Sequence, residues 1–181
     1  MGKNIVVLTG SPRKGGNSDR MADAFIRGAQ EAGHTTVKIE TAALDVKGCR
    51  ACDGCYRGSR ACFFNDDFNS IAQSVLEADA VVVATPLYWF SFPAQIKNVI
   101  DKFYAFVVGG KEFKNKECAL LTCGGDSEEK AFDGLVRSYE LIAEYLGWKD
   151  RGRLVLTGVN AKGDIEKTDG LVRAEKMGAE F

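Results

Sequence analysis

Apolar residues recur along the chain in short runs. Residues 4–9, 36–40, 80–85, 118–122 and 153–157 are rich in Val, Leu or Ile and lack clean polar alternation. Strands buried on both faces read this way, as in a parallel sheet covered by helices. Between the runs the apolar spacing becomes helical. Met21, Phe25 and Ala29 give a first helix that closes near Gly33. Phe68, Ile71, Ala72, Val75 and Leu76 follow the i, i+3, i+4, i+7, i+8 stripe, with Asp66 and Asp67 favouring its positive end. Pro93 suits a first helical position, and Ile96, Val99, Ile100 and Phe103 continue one face. Asp126 and Glu129 have capping-box spacing ahead of Phe132, Leu135, Val136 and Tyr139, and Gly147 supplies a stop. Leu171, Ala174 and Met177 give a last helix before Gly178.

Strands and helices therefore alternate, five of each, and right-handed crossovers make this a doubly wound α/β domain with helices on both faces. A length of 181 residues fits a single domain over 1–181. Ligands of such sheets sit beyond the carboxyl ends of the strands, at the topological switch point. Those ends are residues 10–18, 86–92 and 123–126.

Charge and composition narrow the chemistry. Lys and Arg number 24 against 25 Asp and Glu, a net charge of −1, so no basic surface for nucleic acid or anionic membrane is expected. A 45% hydrophobic chain of this length builds a core without disulfides or metals. No apolar stretch approaches a membrane span and no secretory signal is visible, so a reducing cytoplasm is the expected setting. Clustered thiols there point to metal or redox chemistry rather than to staples. The only histidine, His34, follows Gly33 in a turn and gives no support to a His-dependent mechanism.

The first strand end reads Gly10-Ser11-Pro12-Arg13-Lys14-Gly15-Gly16-Asn17-Ser18 and leads into a helix. Glycines let backbone N–H groups approach an anion, and a helix start adds positive potential. Ser11, Asn17 and Ser18 can donate hydrogen bonds, and Arg13 or Lys14 can supply charge. The alternative is an ordinary Gly-rich turn. A nucleoside-triphosphate loop needs Lys-Ser/Thr after its second Gly, and a dinucleotide fingerprint needs Gly at position 12, where Pro12 stands. The loop suits a monophosphate.

The second strand end, Thr85-Pro86-Leu87-Tyr88-Trp89-Phe90-Ser91-Phe92-Pro93, crowds four aromatics onto a loop. A flat aromatic ligand would use those faces, and a hydrophobic subunit contact is the competing reading. The third end, Cys123-Gly124-Gly125-Asp126, offers a small-residue gap where a ring edge could pass close to backbone.

With these motifs, and with Pro93-Ala94-Gln95-Ile96-Lys97, Asp101 and Gly163-Asp164-Ile165, the chain resembles the NAD(P)H-dependent FMN reductase family of flavodoxin-like proteins along nearly its whole length. The resemblance implies a five-stranded parallel sheet in the order 2-1-3-4-5. It also implies that Ser11, Arg13, Lys14, Asn17 and Ser18 hold the FMN phosphate. Pro86, Leu87, Tyr88, Trp89 and Phe90, with Gly124 and Gly125, would hold the isoalloxazine ring. Members commonly assemble as dimers or tetramers, which agrees with the apolar surface of Tyr88, Trp89, Phe90 and Phe92 beside Phe63 and Phe64.

A Cys-rich loop spans residues 47–65. Cys49-x2-Cys52-x2-Cys55-x6-Cys62 opens compactly, as a cubane requires when one tight loop reaches three irons. Cys62 is the less secure fourth ligand. The spacing resembles the iron–sulfur flavoprotein branch of the same family, so a [4Fe-4S] cluster, a redox-active thiol loop and zinc all stand as readings. Cys118 and Cys123, on or beside a strand, read as small buried residues.

The sequence thus leads to an FMN-dependent oxidoreductase that accepts hydride from NAD(P)H and serves a small-molecule acceptor or a redox partner, as a homodimer or homotetramer. The flavin carries the chemistry, so no catalytic side chain is assigned. Two other classes stand beside it: an iron–sulfur electron carrier without nicotinamide activity, and a zinc-looped interaction module without redox chemistry.

Overall fold

A computed structural model describes residues 2–181. Five strands, β1 (Asn4–Thr9), β2 (Thr35–Glu40), β3 (Ala80–Pro86), β4 (Glu117–Cys123) and β5 (Lys149–Leu156), form one sheet. All neighbours are parallel, and the order is β2-β1-β3-β4-β5. The helices are α1 (Asn17–Glu31), α2 (Phe68–Glu77), α3 (Ala94–Asp101), α4 (Tyr104–Val108), α5 (Asp133–Leu146) and α6 (Gly170–Ala179). The structure is the flavodoxin-like arrangement the sequence leads to.

Successive strand residues feed two cores. Val6, Leu8, Val81, Val83 and Leu120 face α2, α3 and α5, while Ile5, Val7, Val82 and Leu121 face α1 and α6. Both faces are covered, which is why the strands show no polar alternation.

Four elements differ from the sequence reading, the last of them α6, which runs through Gly178 to Ala179 instead of ending before it because Gly178 packs against α1. β5 starts four residues before its apolar run, because Lys149 and Asp150 already pair with Glu117 and Cys118 of β4, ahead of an irregularity at Arg151 and Gly152, on an edge that stays partly wet. Pro93 is extended (φ −55°, ψ 147°) and stands just outside α3, whose expected continuation breaks at Lys102 and Phe103 before α4. Asp126 accepts the Glu128 N–H at 2.9 Å in a local turn, and α5 begins only after a 3-10 turn over Glu129–Phe132. The competition between a local side-chain turn and a cap went to the turn. Gly147 does end α5, in the left-handed conformation at φ 63°.

α1 and α6 meet backbone to backbone. A Cβ on Gly28 would stand 1.9 Å from the Glu175 carbonyl oxygen, and one on Gly178 would stand 2.0 Å from that of Phe25. Helix propensity alone favours Ala over Gly by about 1 kcal/mol. Here the added methyl meets rigid backbone, so overpacking of about 1–3 kcal/mol decides the sign. Gly28→Ala is therefore expected to lower the denaturant midpoint; a midpoint at or above wild type would contradict this packing.

Candidate functional site

The first loop is shaped by its own bonds. Gly10 donates to the Ala84 carbonyl at 2.9 Å, and a Cβ there would fall 2.5 Å from Thr85 Oγ1. Gly15, at φ 63°, donates its N–H to Asp19 Oδ2 at 2.8 Å, and Lys38 braces the same carboxylate from behind at 2.6 Å. Gly16 donates to the Arg13 carbonyl at 2.9 Å and occupies the cap position of α1, where no side chain caps the helix. An uncapped helix start keeps free N–H groups and positive potential.

That start opens on a cavity of about 120 Å³. Ser11, Arg13, Asn17 and Ser18 line it from the first loop, Pro86, Leu87 and Tyr88 from the second, and Gly124 and Gly125 from the third. Three strand ends far apart in sequence thus converge as expected. The glycines of the third are packed close: a Cβ on Gly124 would lie 3.1 Å from Leu87 and Phe132, and one on Gly125 would lie 3.1 Å from Asn160.

Other side chains have further partners or stand outside this cavity. Lys14 lines an adjoining cavity with Thr9, Asp19 and Glu40. The Asn17 amide donates to the Ala161 carbonyl at 2.8 Å and accepts the Gly163 N–H at 3.0 Å, so it ties the helix start to the β5–α6 loop. Trp89 and Phe90 form the tip of a two-residue turn in which Tyr88 and Ser91 exchange backbone bonds of 3.1 and 3.0 Å. Both tip residues are left-handed (φ 45° and 63°), a state that usually calls for Asn or Gly and costs an L side chain about 1–2 kcal/mol. Trp89 is 92% exposed, whereas Phe92 is buried in the core and adds nothing to the apolar surface expected of it.

The β5–α6 loop contributes lining residues the sequence reading passed over. Val159, Asn160 and Lys162 reach the cavity, and the Lys162 ammonium donates to the Lys14 carbonyl at 3.0 Å. Lys167, with the Ala161 and Asn160 N–H groups, holds the Asp164 carboxyl below the usual range and so shapes this loop. The Gly163-Asp164-Ile165 motif beside them was the available signal.

A second cavity, about 200 Å³, is lined by Cys49, Cys52, Cys55 and Cys62 together. Left-handed backbone at Ala51, Asp53 and Tyr56 coils the loop between the thiols. Tyr104 donates to Asp53 Oδ1 at 3.1 Å, and Cys62 donates its N–H to Asn69 Oδ1 at 2.8 Å, which pins the loop to α4 and α2. Burial, then the neighbouring thiols of Cys62, Cys49 and Cys52, push the Cys55 thiol up. Among the described residues no three His, Cys, Asp or Glu side chains form a group that could hold a metal ion, and the four thiols share the lining of this one cavity. Cys118 and Cys123 are buried in the cores, and burial pushes their thiols up to about 11 and about 12.

Comparison with known proteins agrees with this fold. An NAD(P)H:quinone oxidoreductase from Methanothermobacter marburgensis superposes with a TM-score of 0.78 at 22% identity, covering 99% of this chain and 96% of that one. An iron-sulfur flavoprotein of Methanosarcina thermophila is 34% identical over 121 residues, 67% of this chain and 63% of the relative. Another from Archaeoglobus fulgidus is 32% identical over 101 residues, 56% of this chain and 46% of the relative. The chain thus spans less than two thirds of the length of these two curated relatives. The sequence model of the NADPH-dependent FMN reductases matches residues 3–136, and the chain belongs to that family.

Proposed function

We propose that the chain is a flavin-dependent oxidoreductase, one FMN-binding domain over 1–181, that takes hydride from NAD(P)H and passes electrons to a small acceptor or a redox partner. The observation that carries this reading is the convergence of three strand-end loops on one cavity that opens at the uncapped start of α1. The donor set fits FMN. Ser11 and Ser18 hydroxyls, the first N–H groups of α1, and the Arg13 and Lys162 cations offer what a phosphate monoester accepts. Lys14 lies on the far side of the same loop and adds charge without lining the cavity. Pro86, Leu87 and Tyr88 would wall the ring, followed by the Trp89-Phe90 turn, and Gly124 and Gly125 line the same cavity without side chains to block a ring edge.

Bound FMN would supply the hydride chemistry, with no side-chain acid or base required. The chain's part would be to bind the phosphate, position the ring and exclude water with Leu87 and Tyr88. The acceptor class is left to the open side of the cavity, and six free thiols suit a reducing cytoplasm. Among the described residues no helix is long and apolar enough to cross a membrane.

A second redox group is favoured by the four thiols that line one volume, and by relatives that are named iron-sulfur flavoproteins. We assign Cys49, Cys52, Cys55 and Cys62 as ligands of a [4Fe-4S] cluster that would accept electrons singly. The exposed Trp89, Phe90 and Phe63 further support a homodimer or homotetramer, since a soluble monomer seldom leaves such a patch wet.

Three measurements test these points. Replacing Ser11 and Ser18 together by Ala is expected to weaken FMN binding by about 1–3 kcal/mol in a fluorescence titration, the scale of hydrogen bonds to a charged group; unchanged affinity removes the phosphate role of this loop. Anaerobic protein loaded with FMN, iron and sulfide is expected to retain both inorganic elements and to lose its flavin absorption on adding NADPH. Retention of FMN without bleaching would leave an electron carrier, and retention of neither iron nor sulfide would reject the cluster. Light scattering at micromolar protein is expected to give a multiple of the 19.7 kDa chain mass; the single-chain value would refute assembly.

A further inference from the structure

The four-thiol cavity contains a buried cation that loop closure does not require. Lys102, at the break between α3 and α4, lines the cavity with all four cysteines. Its ammonium pairs with the Asp66 carboxylate, and each side chain is 4% exposed. Asp66 also accepts the Lys47 N–H at 3.0 Å and the Phe68 N–H at 3.3 Å, so its position is fixed from both ends of the loop. The loop base is closed by other bonds as well. Asp67 Oδ2 accepts the Asp45 N–H at 2.8 Å, the Asp67 N–H donates to the Asp45 carbonyl at 3.3 Å, and the Asn98 amide holds the Val46 carbonyl at 2.9 Å.

A buried ion pair adds little stability, because desolvating two charges offsets most of their attraction. Its electrostatic effect on a neighbour is another matter. The other cations lining the cavity, Lys47 and Arg50, are exposed; one pairs with Asp45 and the other lies 4.9 Å over the Phe64 ring. Water and salt screen those two, whereas Lys102 acts through protein of low dielectric.

We propose that Lys102, held by Asp66, is the electrostatic partner of the iron–sulfur group and raises its reduction potential. The inference rests on the cluster reading above. Reduction adds one electron to a group already made anionic by thiolates, and local charge is one of the terms that set such a potential. The ammonium favours the reduced state and the carboxylate opposes it. The two residues therefore have opposite effects when changed singly. Loss of Lys102 strands a buried anion beside the group; neutralising Asp66 strands a cation.

The test is a reductive titration, followed by electron paramagnetic resonance, of the anaerobically reconstituted protein. At fixed applied potential, Lys102→Met is expected to lower the reduced-to-oxidised ratio of the cluster roughly tenfold, and Asp66→Asn to raise it. Lys102→Arg and the double variant Lys102→Met/Asp66→Asn strand no charge, so they keep the fold if the single variants do not. In both, the potential is expected to stay with wild type. Single variants that leave the potential unmoved, or move it in the same direction, overturn the proposal, as does a displaced potential in both Lys102→Arg and the double variant. Wild type that takes up neither iron nor sulfide overturns the cluster reading, and this inference falls with it. Wild type that loads normally beside unmoved variants overturns the role of Lys102 alone.

Discussion

In an all-parallel sheet every strand must leave at the same edge, and each crossover helix must begin there before covering one face. In this chain β1, β3 and β4 lie side by side, so the loops after Thr9, Pro86 and Cys123 emerge as neighbours. That single constraint builds the cavity. It also orients α1, whose free N–H groups point back towards the edge from which the strand left. The close packing of Gly28 and Gly178 then holds α6 against α1, which keeps the β5–α6 loop and Lys162 within reach of the first loop.

Of the described non-glycine residues in left-handed backbone, all but Asn115, which precedes β4, stand around the two cavities. Trp89 and Phe90 take left-handed conformations at the tip beside the first, and Ala51, Asp53 and Tyr56 take them in the loop around the second. Each costs an L residue of order 1–2 kcal/mol and persists because surrounding bonds over-determine it. Tyr88 and Ser91 clamp the aromatic tip, while Tyr104, Asn69 and Asp67 clamp the thiol loop. The two sheet cores show no such cost. Stability is concentrated in the sheet and spent at its edge.

The two cavities divide the chemistry by loop. The phosphate-sized one uses strand ends, backbone amides and glycines, all placed by the sheet. The thiol-lined one uses a long insertion between β2 and α2, which is folded by side-chain bonds to α2, α3 and α4 rather than by the sheet. Changes in the insertion can therefore alter the thiol-lined cavity while the strand-end cavity is preserved.

The apolar runs and helical stripes were enough for the fold class, the alternation of elements and the three strand ends that form the site, because buried strands and amphipathic helices write their burial directly into residue order. The cavity is lined by Ser11, Arg13, Asn17, Ser18, Pro86, Leu87, Tyr88, Gly124 and Gly125, all of which motif and resemblance had put forward. Tertiary contacts decided the remainder. The Asn17 amide took the Ala161 carbonyl as its partner, Lys14 faced a neighbouring cavity, Phe92 went into the core, and Lys162 entered from 148 residues away along the chain. Charged and amide side chains on loops carry no periodicity. Which partner each one takes depends on what the fold brings beside it, and that information lies in distances between segments rather than in their order.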